Sequence, residues 1–276
     1  MSDGPSLIHE LVGEAEVAEQ MPGLHAISQC LRIVTRSRET VFLKFHKAAR
    51  SFHQEYGFYK EFSGKWDTLP SLLYVWPEHR AMLLSSVPGR QVSAWRPMPQ
   101  RTYFEAGGFL RKLHSWPLED PDIPLPGALE KRLQAFEESA GTEARRAVTE
   151  PLRELLAVAP KLERSYCHRD FAEHNWLHDG KKLYVIDFEH SKPDFWLLDL
   201  VRLHSLTLCA NEDAEEEFWE GYGSKPQEWE REFLARWSLL WAYQTKLWGA
   251  RHGDSSTVAW ARAALTHLGV GENFTE

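Results

Sequence analysis

The sequence predicts an α+β fold in which a small antiparallel sheet and one helix precede a larger, mainly helical part. Two runs of β-branched and aromatic residues, 30–35 and 40–45, are separated by a four-residue turn and therefore predict a hairpin. Residues 50–62, and several segments beyond residue 100, place apolar side chains at helical spacing instead. A chain of 276 residues is long enough for one large domain or for two lobes.

The composition excludes several classes of protein. A net charge of −8 argues against nucleic acid as the main partner, because binding to a phosphate backbone requires clustered lysine and arginine. The same charge is compatible with a cationic small molecule as partner. No run approaches 18 apolar residues, and the first residues do not resemble a signal peptide, so we expect neither a membrane span nor secretion. Three widely spaced cysteines are typical of reduced thiols, and we expect a cytoplasmic protein.

Residues 166–189 contain the strongest functional pattern. Asp170 is followed five positions later by Asn175, and a predicted strand over 182–186 ends at Asp187. Phosphoryl transfer from a nucleotide needs a carboxylate that orients the attacking hydroxyl and accepts its proton, and it needs oxygen ligands that hold Mg²⁺ against the phosphates. Asp170 suits the first role, and Asn175 with Asp187 suits the second. Each piece alone is typical of a solvated turn, but the joint pattern is rare and favours a catalytic centre.

Lys44 is the second candidate, because it ends the second strand of the predicted hairpin among apolar neighbours. Phe42 and Lys44 lie on the same face of that strand, and a lysine in such surroundings needs an anionic partner. The phosphates of ATP would supply one. The alternative is an edge-strand lysine that protects against aggregation. Glu55, in the following helix, is the candidate to pair with Lys44, and Glu61 is the alternative.

Two further segments suit the binding of a nucleotide. The sequence has no Gly-x-Gly-x-x-Gly run, but the backbone before the first hairpin strand and the side chain of Ser28 would be able to cap phosphates. An apolar strand over 80–86 then runs into the break at Pro88-Gly89. Such a junction can place an adenine ring beside free backbone groups, and the Ser85 carbonyl and the Val87 N–H are the predicted contacts. The alternative is that this segment is only a strand that leaves a sheet.

The second half of the chain predicts helices. Residues 101–116 and 229–250 carry apolar side chains at helical spacing, residues 120–126 predict a loop, and residues 128–159 predict two amphipathic helices that are split near Gly141 and Pro151.

Three polar features of this half have structural interpretations. His114 is expected to be a packed or capping histidine at a helix end. Asp199 precedes an apolar helix and is expected to act as its N-terminal cap or as a first-turn carboxylate. The acidic run over 212–217 favours a solvated helix face, with an acceptor site for amino groups as the alternative.

The motifs together resemble the aminoglycoside phosphotransferase family, the small-molecule branch of the protein-kinase-like superfamily. The resemblance rests on His-Arg-Asp170 with Asn175, on Ile-Asp187-Phe-Glu, and on Val-Phe-Leu-Lys44 upstream. Weaker matches are Leu-Leu-Ser-Ser-Val-Pro-Gly before residue 90 and Asp199-Leu-Val-Arg-Leu. All these motifs occur in the same order as in the family, and the resemblance covers most of the chain.

The resemblance implies a bilobal kinase-like fold, with a nucleotide-binding lobe over residues 1–86 and a catalytic and substrate-binding lobe over 87–276. It also implies that Asp170 is the catalytic aspartate and that Asn175 and Asp187 are Mg²⁺ ligands. Lys44, with Glu55, would hold the phosphates of ATP, or of GTP as the alternative nucleotide. Family members often carry His-Pro-Gly-Asn after the catalytic aspartate, and this chain departs from that pattern with Ala-Glu-His-Asn175.

The expected reaction is the transfer of the γ-phosphate to a hydroxyl of a small molecule. No Ala-Pro-Glu segment follows Asp187, which argues against a protein substrate. The acceptors that the resemblance implies are aminoglycosides or other antibiotics, aminocyclitols, sugars and amino alcohols.

Two other classes of function are alternatives. A nucleotide-binding pseudokinase would be expected to lack one of the four key side chains, and none is missing. A metal-dependent hydrolase would need histidines at ligand spacing, which His168, His174 and His178 do not supply by themselves.

Overall fold

The computed structural model describes residues 15–21, 28–118, 125–138, 148–158 and 164–269. The described chain forms two compact units. Unit 1 extends to Trp95 and also contains Asn175–Ser191, whereas unit 2 contains Arg96–His174 and continues from Lys192.

The strands are, in chain order, β1 (Ala15–Gln20), β2 (Ser28–Thr35), β3 (Thr40–His46), β4 (Leu72–Trp76), β5 (Ala81–Ser85), β6 (Arg90–Gln91), β7 (Arg164–Cys167), β8 (Trp176–His178), β9 (Leu183–Val185) and β10 (Lys192–Phe195). The helices are α1 (Ala49–Phe62), α2 (Thr102–His114), α3 (Leu125–Glu137), α4 (Glu150–Val158), α5 (Val201–Leu206), α6 (Glu212–Tyr222), α7 (Glu228–His252) and α8 (Ser255–His267).

Unit 1 is built on an antiparallel sheet with the strand order β1-β2-β3-β5-β4. The predicted hairpin is confirmed as β2 and β3, in which Leu31 lies opposite Leu43 and Cys30 lies opposite Lys44. Side chains alternate between the two faces of a strand, so the buried Leu31 and Leu43 face one core while Lys44 faces the other side. The phenyl ring of Phe58, on α1, stacks on that of Phe188 with 3.7 Å between the centroids.

A second, smaller sheet explains why residues 175–191 group with unit 1. It has the order β6-β8-β9, and its backbone pairing ties Gln91 to Leu177 and Trp176 to Val185. The predicted division at residue 86 therefore needs a correction, because it assigned this later segment to the second lobe. Strand pairing over long sequence separation is the physical reason, and no local pattern reveals it.

Unit 2 is mainly helical and also contains the antiparallel pair of β7 and β10. Two predictions about prolines were wrong in detail. Pro126 lies in the first turn of α3 rather than in a loop, and Pro151 lies in the first turn of α4 rather than between helices. Proline is tolerated there because the first N–H groups of a helix have no intrahelical acceptor. Residues 120–124 and Gly141 lie outside the described residues. Among the helices that the structure describes, none is long and apolar enough to cross a membrane.

Close packing of α2 against α6 depends on two glycines, Gly107 and Gly221. A Cβ atom added to Gly107 would overlap the carbonyl oxygen of Phe218, and one added to Gly221 would overlap the carbonyl of Phe104. The two backbones therefore approach more closely than any larger residue allows.

We expect Gly107→Ala to destabilise the protein by about 1–3 kcal/mol, because the overlap forces the helices apart. The matched control is Gly108→Ala, whose Cβ would lie 3.7 Å from the nearest atom and would raise helix propensity. Urea denaturation measures both variants. Equal stability of the two would contradict the packing argument.

Candidate active site

A buried cluster of charges surrounds Lys44 in unit 1. The Nζ atom of Lys44 lies 2.7 Å from Oε2 of Glu55, 2.6 Å from Oδ1 of Asp187 and 3.5 Å from Oε2 of Glu189. The predicted pairing of Lys44 with Glu55 is confirmed. The alternative partner, Glu61, pairs instead with Lys65 on the same helix at 2.8 Å. Burial lowers the pKa of Lys44, but the charges of Asp187 and Glu55 raise it well above its usual value, so the ammonium stays protonated.

Glu55 accepts hydrogen bonds at both carboxylate oxygens. Its Oε2 also lies 2.6 Å from Nε2 of His46, and its Oε1 accepts from the backbone N–H of Phe188 at 3.3 Å. Burial raises the pKa of Glu55, whereas the charge of Lys44 and the hydrogen bond from His46 lower it by more, to about 2. The sequence analysis missed His46, although it lies two residues after Lys44 on the same face of β3.

Asn175 and Asp187, the predicted metal ligands, are tied together through the backbone. The N–H of Ile186, which directly precedes Asp187, donates to the carbonyl of Asn175 at 3.0 Å. Asp187 adopts a left-handed conformation with φ 68°, which is uncommon for any residue but glycine. An amide and a carboxylate supply the hard oxygen ligands that Mg²⁺ requires, so the chemistry of this pair fits the metal.

The predicted nucleotide contacts lie on the same unit. Ser28 begins β2 opposite His46. Ser85 ends β5, where its N–H donates to the carbonyl of Ser71 at 2.9 Å and its Oγ accepts from the N–H of Ser71 at 2.8 Å. Val87 is half-buried and follows the strand. The contacts of Ser28, Ser85 and Val87 with a nucleotide stay predictions.

Asp170 lies in unit 2, after β7, and is held by two cationic or protonatable side chains. The guanidinium of Arg202 donates to Oδ1, and Nε2 of His174 lies 3.2 Å from Oδ2. Burial raises the pKa of Asp170, but the hydrogen bond from His174 and the charge of Arg202 lower it by more, and its pKa falls below the usual range. Asp170 is therefore an ionised carboxylate at neutral pH, as a group that accepts a proton from a hydroxyl must be.

Asp199 holds the backbone that precedes Asp170. Its buried carboxylate accepts hydrogen bonds from the N–H of His168, at 2.8 Å, and from the N–H of Arg169. One of its oxygens also lies 3.1 Å from Nε2 of His114. Arg169 has a positive φ of 72°, so these bonds stabilise a conformation that the residue would otherwise avoid.

The prediction that Asp199 caps the next helix was wrong, because α5 begins at Val201 with no side-chain cap. His114 is packed, as expected, and also bonds to the Tyr222 hydroxyl.

The histidines of the catalytic stretch do not support a metal-dependent hydrolase. Nδ1 of His168 accepts from the backbone N–H of Asp170, and Nδ1 of His178 accepts from that of Gly180. Within the part of the chain that the structure describes, none of His168, His174 and His178 belongs to a group of three potential metal ligands.

The low pKa of Glu55 predicts a pH-dependent stability. A carboxyl group whose pKa is lowered from 4.5 to about 2 on folding stabilises the folded state above pH 4.5, and this contribution is lost as the pH falls towards 2. We expect Glu55→Gln to lower the free energy of unfolding at pH 7 by about 3 kcal/mol, because Lys44 and His46 lose a shared partner. The substitution should also flatten the pH dependence of the free energy of unfolding between pH 4.5 and pH 2.

Glu61→Gln, on the same helix, is the control and should leave the pH profile of stability unchanged. The measurement is urea denaturation across this pH range. An unaltered profile in Glu55→Gln would show that Glu55 titrates as it does in the unfolded chain.

Comparison with known proteins connects this geometry to a family. The model of the phosphotransferase enzyme family APH matches residues 26–236. No curated protein sequence matched the chain.

Three similar solved structures share the fold at low sequence identity. A choline/ethanolamine kinase family protein from Mesorhizobium loti is 20% identical, with 95% of this chain and 94% of that chain covered and a TM-score of 0.68. The GDP and kanamycin complex of APH(2")-IIia is 13% identical, with 96% and 97% covered and a TM-score of 0.75. A thermostable mutant of aminoglycoside phosphotransferase APH(4)-Ia, in complex with ADP and hygromycin B, is 13% identical, with 98% and 99% covered and a TM-score of 0.73.

The matched segment spans well over half of the chain, and the neighbours have the kinase-like fold that the motifs predicted. The chain therefore belongs to the phosphotransferase enzyme family APH and is a kinase-type small-molecule phosphotransferase.

Proposed function

We propose that the protein transfers the γ-phosphate of ATP, with Mg²⁺, to a hydroxyl of a small molecule. The observation that carries the proposal is the convergence of Lys44, Glu55 and Asp187. Asp187 is distant in sequence from the other two, yet the lysine ammonium lies within 2.7 Å of both carboxylates. In kinases, a strand lysine paired with a helix glutamate positions the phosphates, and the aspartate of an Asp-Phe motif holds the metal ion.

Unit 1 supplies the groups for the nucleotide. Lys44 offers a permanent positive charge to phosphate oxygens, and Glu55 fixes the direction of its side chain. Ser28 would contact the phosphates, whereas the backbone at Ser85 and Val87 would contact the base. One similar structure holds GDP and another holds ADP, so GTP is the alternative nucleotide to ATP.

Asn175 and Asp187 would hold Mg²⁺ through an amide oxygen and a carboxylate oxygen. The metal, when bound, would neutralise charge on the phosphates. Ile186 joins the two residues through its hydrogen bond to Asn175, which supports their action as one site.

Asp170 is proposed as the catalytic aspartate. Its ionised carboxylate would accept a hydrogen bond from the acceptor hydroxyl, orient the oxygen towards the γ-phosphorus and receive the proton as the new bond forms. The acceptor classes supported by the similar structures are aminoglycosides such as kanamycin and hygromycin B, and amino alcohols such as choline and ethanolamine. Other antibiotics, aminocyclitols and sugars are the further candidates from the motif resemblance.

Asp170→Ala tests the assignment. We expect the turnover number to fall by about a thousandfold or more, because the hydroxyl loses its orienting base. The dissociation constant for ATP with Mg²⁺, measured by calorimetry, should change little, since the side chains proposed to bind the nucleotide belong to unit 1. Turnover is measured as ADP release across a panel of candidate alcohols.

The matched control is Glu78→Ala, which removes an exposed carboxylate just after β4. Its turnover should equal that of the natural sequence. Full activity in Asp170→Ala would refute the catalytic role of this aspartate.

A further inference from the structure

A cavity of about 210 Å³ lies beside Asp170, within unit 2. Its lining includes Arg132 of α3, Arg169, Arg202 of α5, and Trp241 and Gln244 of α7. Pockets for drug-sized ligands measure roughly 300–1,000 Å³, so this cavity suits a smaller molecule. If Asp170 is the catalytic aspartate, as proposed above, this cavity is where an acceptor can place its hydroxyl.

The positively charged side chains at the cavity outnumber the carboxylates around it. Nη2 of Arg132 lies 2.5 Å from Oδ2 of Asp194, and Nε of Arg169 lies 3.4 Å from the same oxygen. Nζ of Lys192 is a third cation, at 3.6 Å from that oxygen. Burial lowers the pKa of Arg132, and the charge of Arg169 lowers it further against the opposing effect of Asp194. Arg132, Arg169, Arg202 and Lys192 carry four positive charges, and Asp170, Asp194 and Asp199 carry three negative charges, which leaves a net charge of +1 beside the cavity.

Donors at these arginines also outnumber their acceptors. Nη1 of Arg132 and Nε of Arg202 are shielded from solvent, and no described residue accepts a hydrogen bond from either. Buried donors without a partner cost free energy, and an anion near the guanidinium groups would offset part of that cost by its charge.

The carboxylates at the cavity are already engaged. Each oxygen of Asp170 accepts from a side chain, Arg202 or His174. Each oxygen of Asp199 accepts a backbone N–H, and one of them also contacts His114. Arg202 offsets the charge of Asp170, and backbone N–H groups with His114 surround that of Asp199, so a cationic acceptor gains little from these carboxylates. An anionic acceptor instead meets a net positive charge.

We propose that the acceptor is a small alcohol that carries an anionic group, a carboxylate or a phosphate, which Arg132 and Arg169 attract. This inference rests on the proposed function, and it assigns this chain an acceptor class different from the aminoglycosides and amino alcohols of the similar structures. The hydroxyl oxygen forms a bond to the γ-phosphorus, the bond from that phosphorus to ADP breaks, and the hydroxyl proton passes to Asp170. Acceptors without negative charge, including amino alcohols and aminoglycosides, are predicted to be poorer substrates.

A charge-matched set of three-carbon alcohols tests the proposal. Glycerate and glycerol 3-phosphate are anionic, glycerol is neutral, and 2-amino-1,3-propanediol is cationic. With ATP and Mg²⁺, we expect kcat/KM to be at least about tenfold higher for an anionic member than for the neutral and cationic ones. A preference for the cationic member, for choline or for kanamycin would overturn the inference while leaving the phosphotransferase function intact.

Variants of Arg132 test the residue itself. Arg132→Gln should raise KM for the anionic acceptor about tenfold or more, and Arg132→Lys, which keeps the charge, should restore most of the loss. Arg251→Gln, at an exposed position near the end of α7, is the control and should match the natural sequence. Equal KM values in Arg132→Gln and the natural sequence would overturn the inference.

A binding measurement covers the case in which no alcohol of the set is phosphorylated. Glycerol 3-phosphate is titrated into the protein with saturating ADP and Mg²⁺. Binding that weakens in Arg132→Gln supports an anion site even without turnover. Binding that is absent, or unchanged in the variant, counts against it.

Discussion

A charged lysine buried in a β-sheet is the constraint on which unit 1 depends. The side chain of Lys44 is only 8% exposed, and its ammonium requires carboxylates from outside its own strand. Glu55 comes from α1, and Asp187 follows β9, so one charge ties the consecutive elements β3 and α1 to a loop that is distant in sequence. The stacking of Phe58 on Phe188 adds an apolar contact between the same helix and the same loop.

Unit 2 uses a buried carboxylate in a comparable way. Asp199 supplies acceptors to consecutive backbone N–H groups at His168 and Arg169, and it stabilises the positive φ of Arg169 just before the candidate catalytic aspartate. Both units have an uncommon backbone conformation in the proposed site: Arg169 directly precedes Asp170, and Asp187 is itself a proposed metal ligand. Such conformations persist where surrounding bonds overdetermine them, and here those bonds go to buried charges.

Local and overall charge have opposite signs in this protein. The chain carries a net charge of −8, which by itself is compatible with a cationic partner. The cavity beside Asp170 is nevertheless lined by arginines, two of which share a single carboxylate oxygen. Net charge describes solubility and long-range association, whereas the choice of a ligand follows from charges within a few ångströms, where screening by solvent is weakest.

The sequence by itself determined the family, the β2–β3 hairpin, and the identities of Asp170, Asn175, Asp187 and Lys44 as candidates, because these depend on local spacing within strands and loops. It also anticipated Glu55, since a single charged lysine needs a partner from the next helix. Only the tertiary structure decided which bonds Asp199 makes, where residues 175–191 belong, and that Arg132 lies at a cavity with Asp170. Those facts depend on contacts between segments far apart in the chain, and the spacing of residues along one segment carries no information about them.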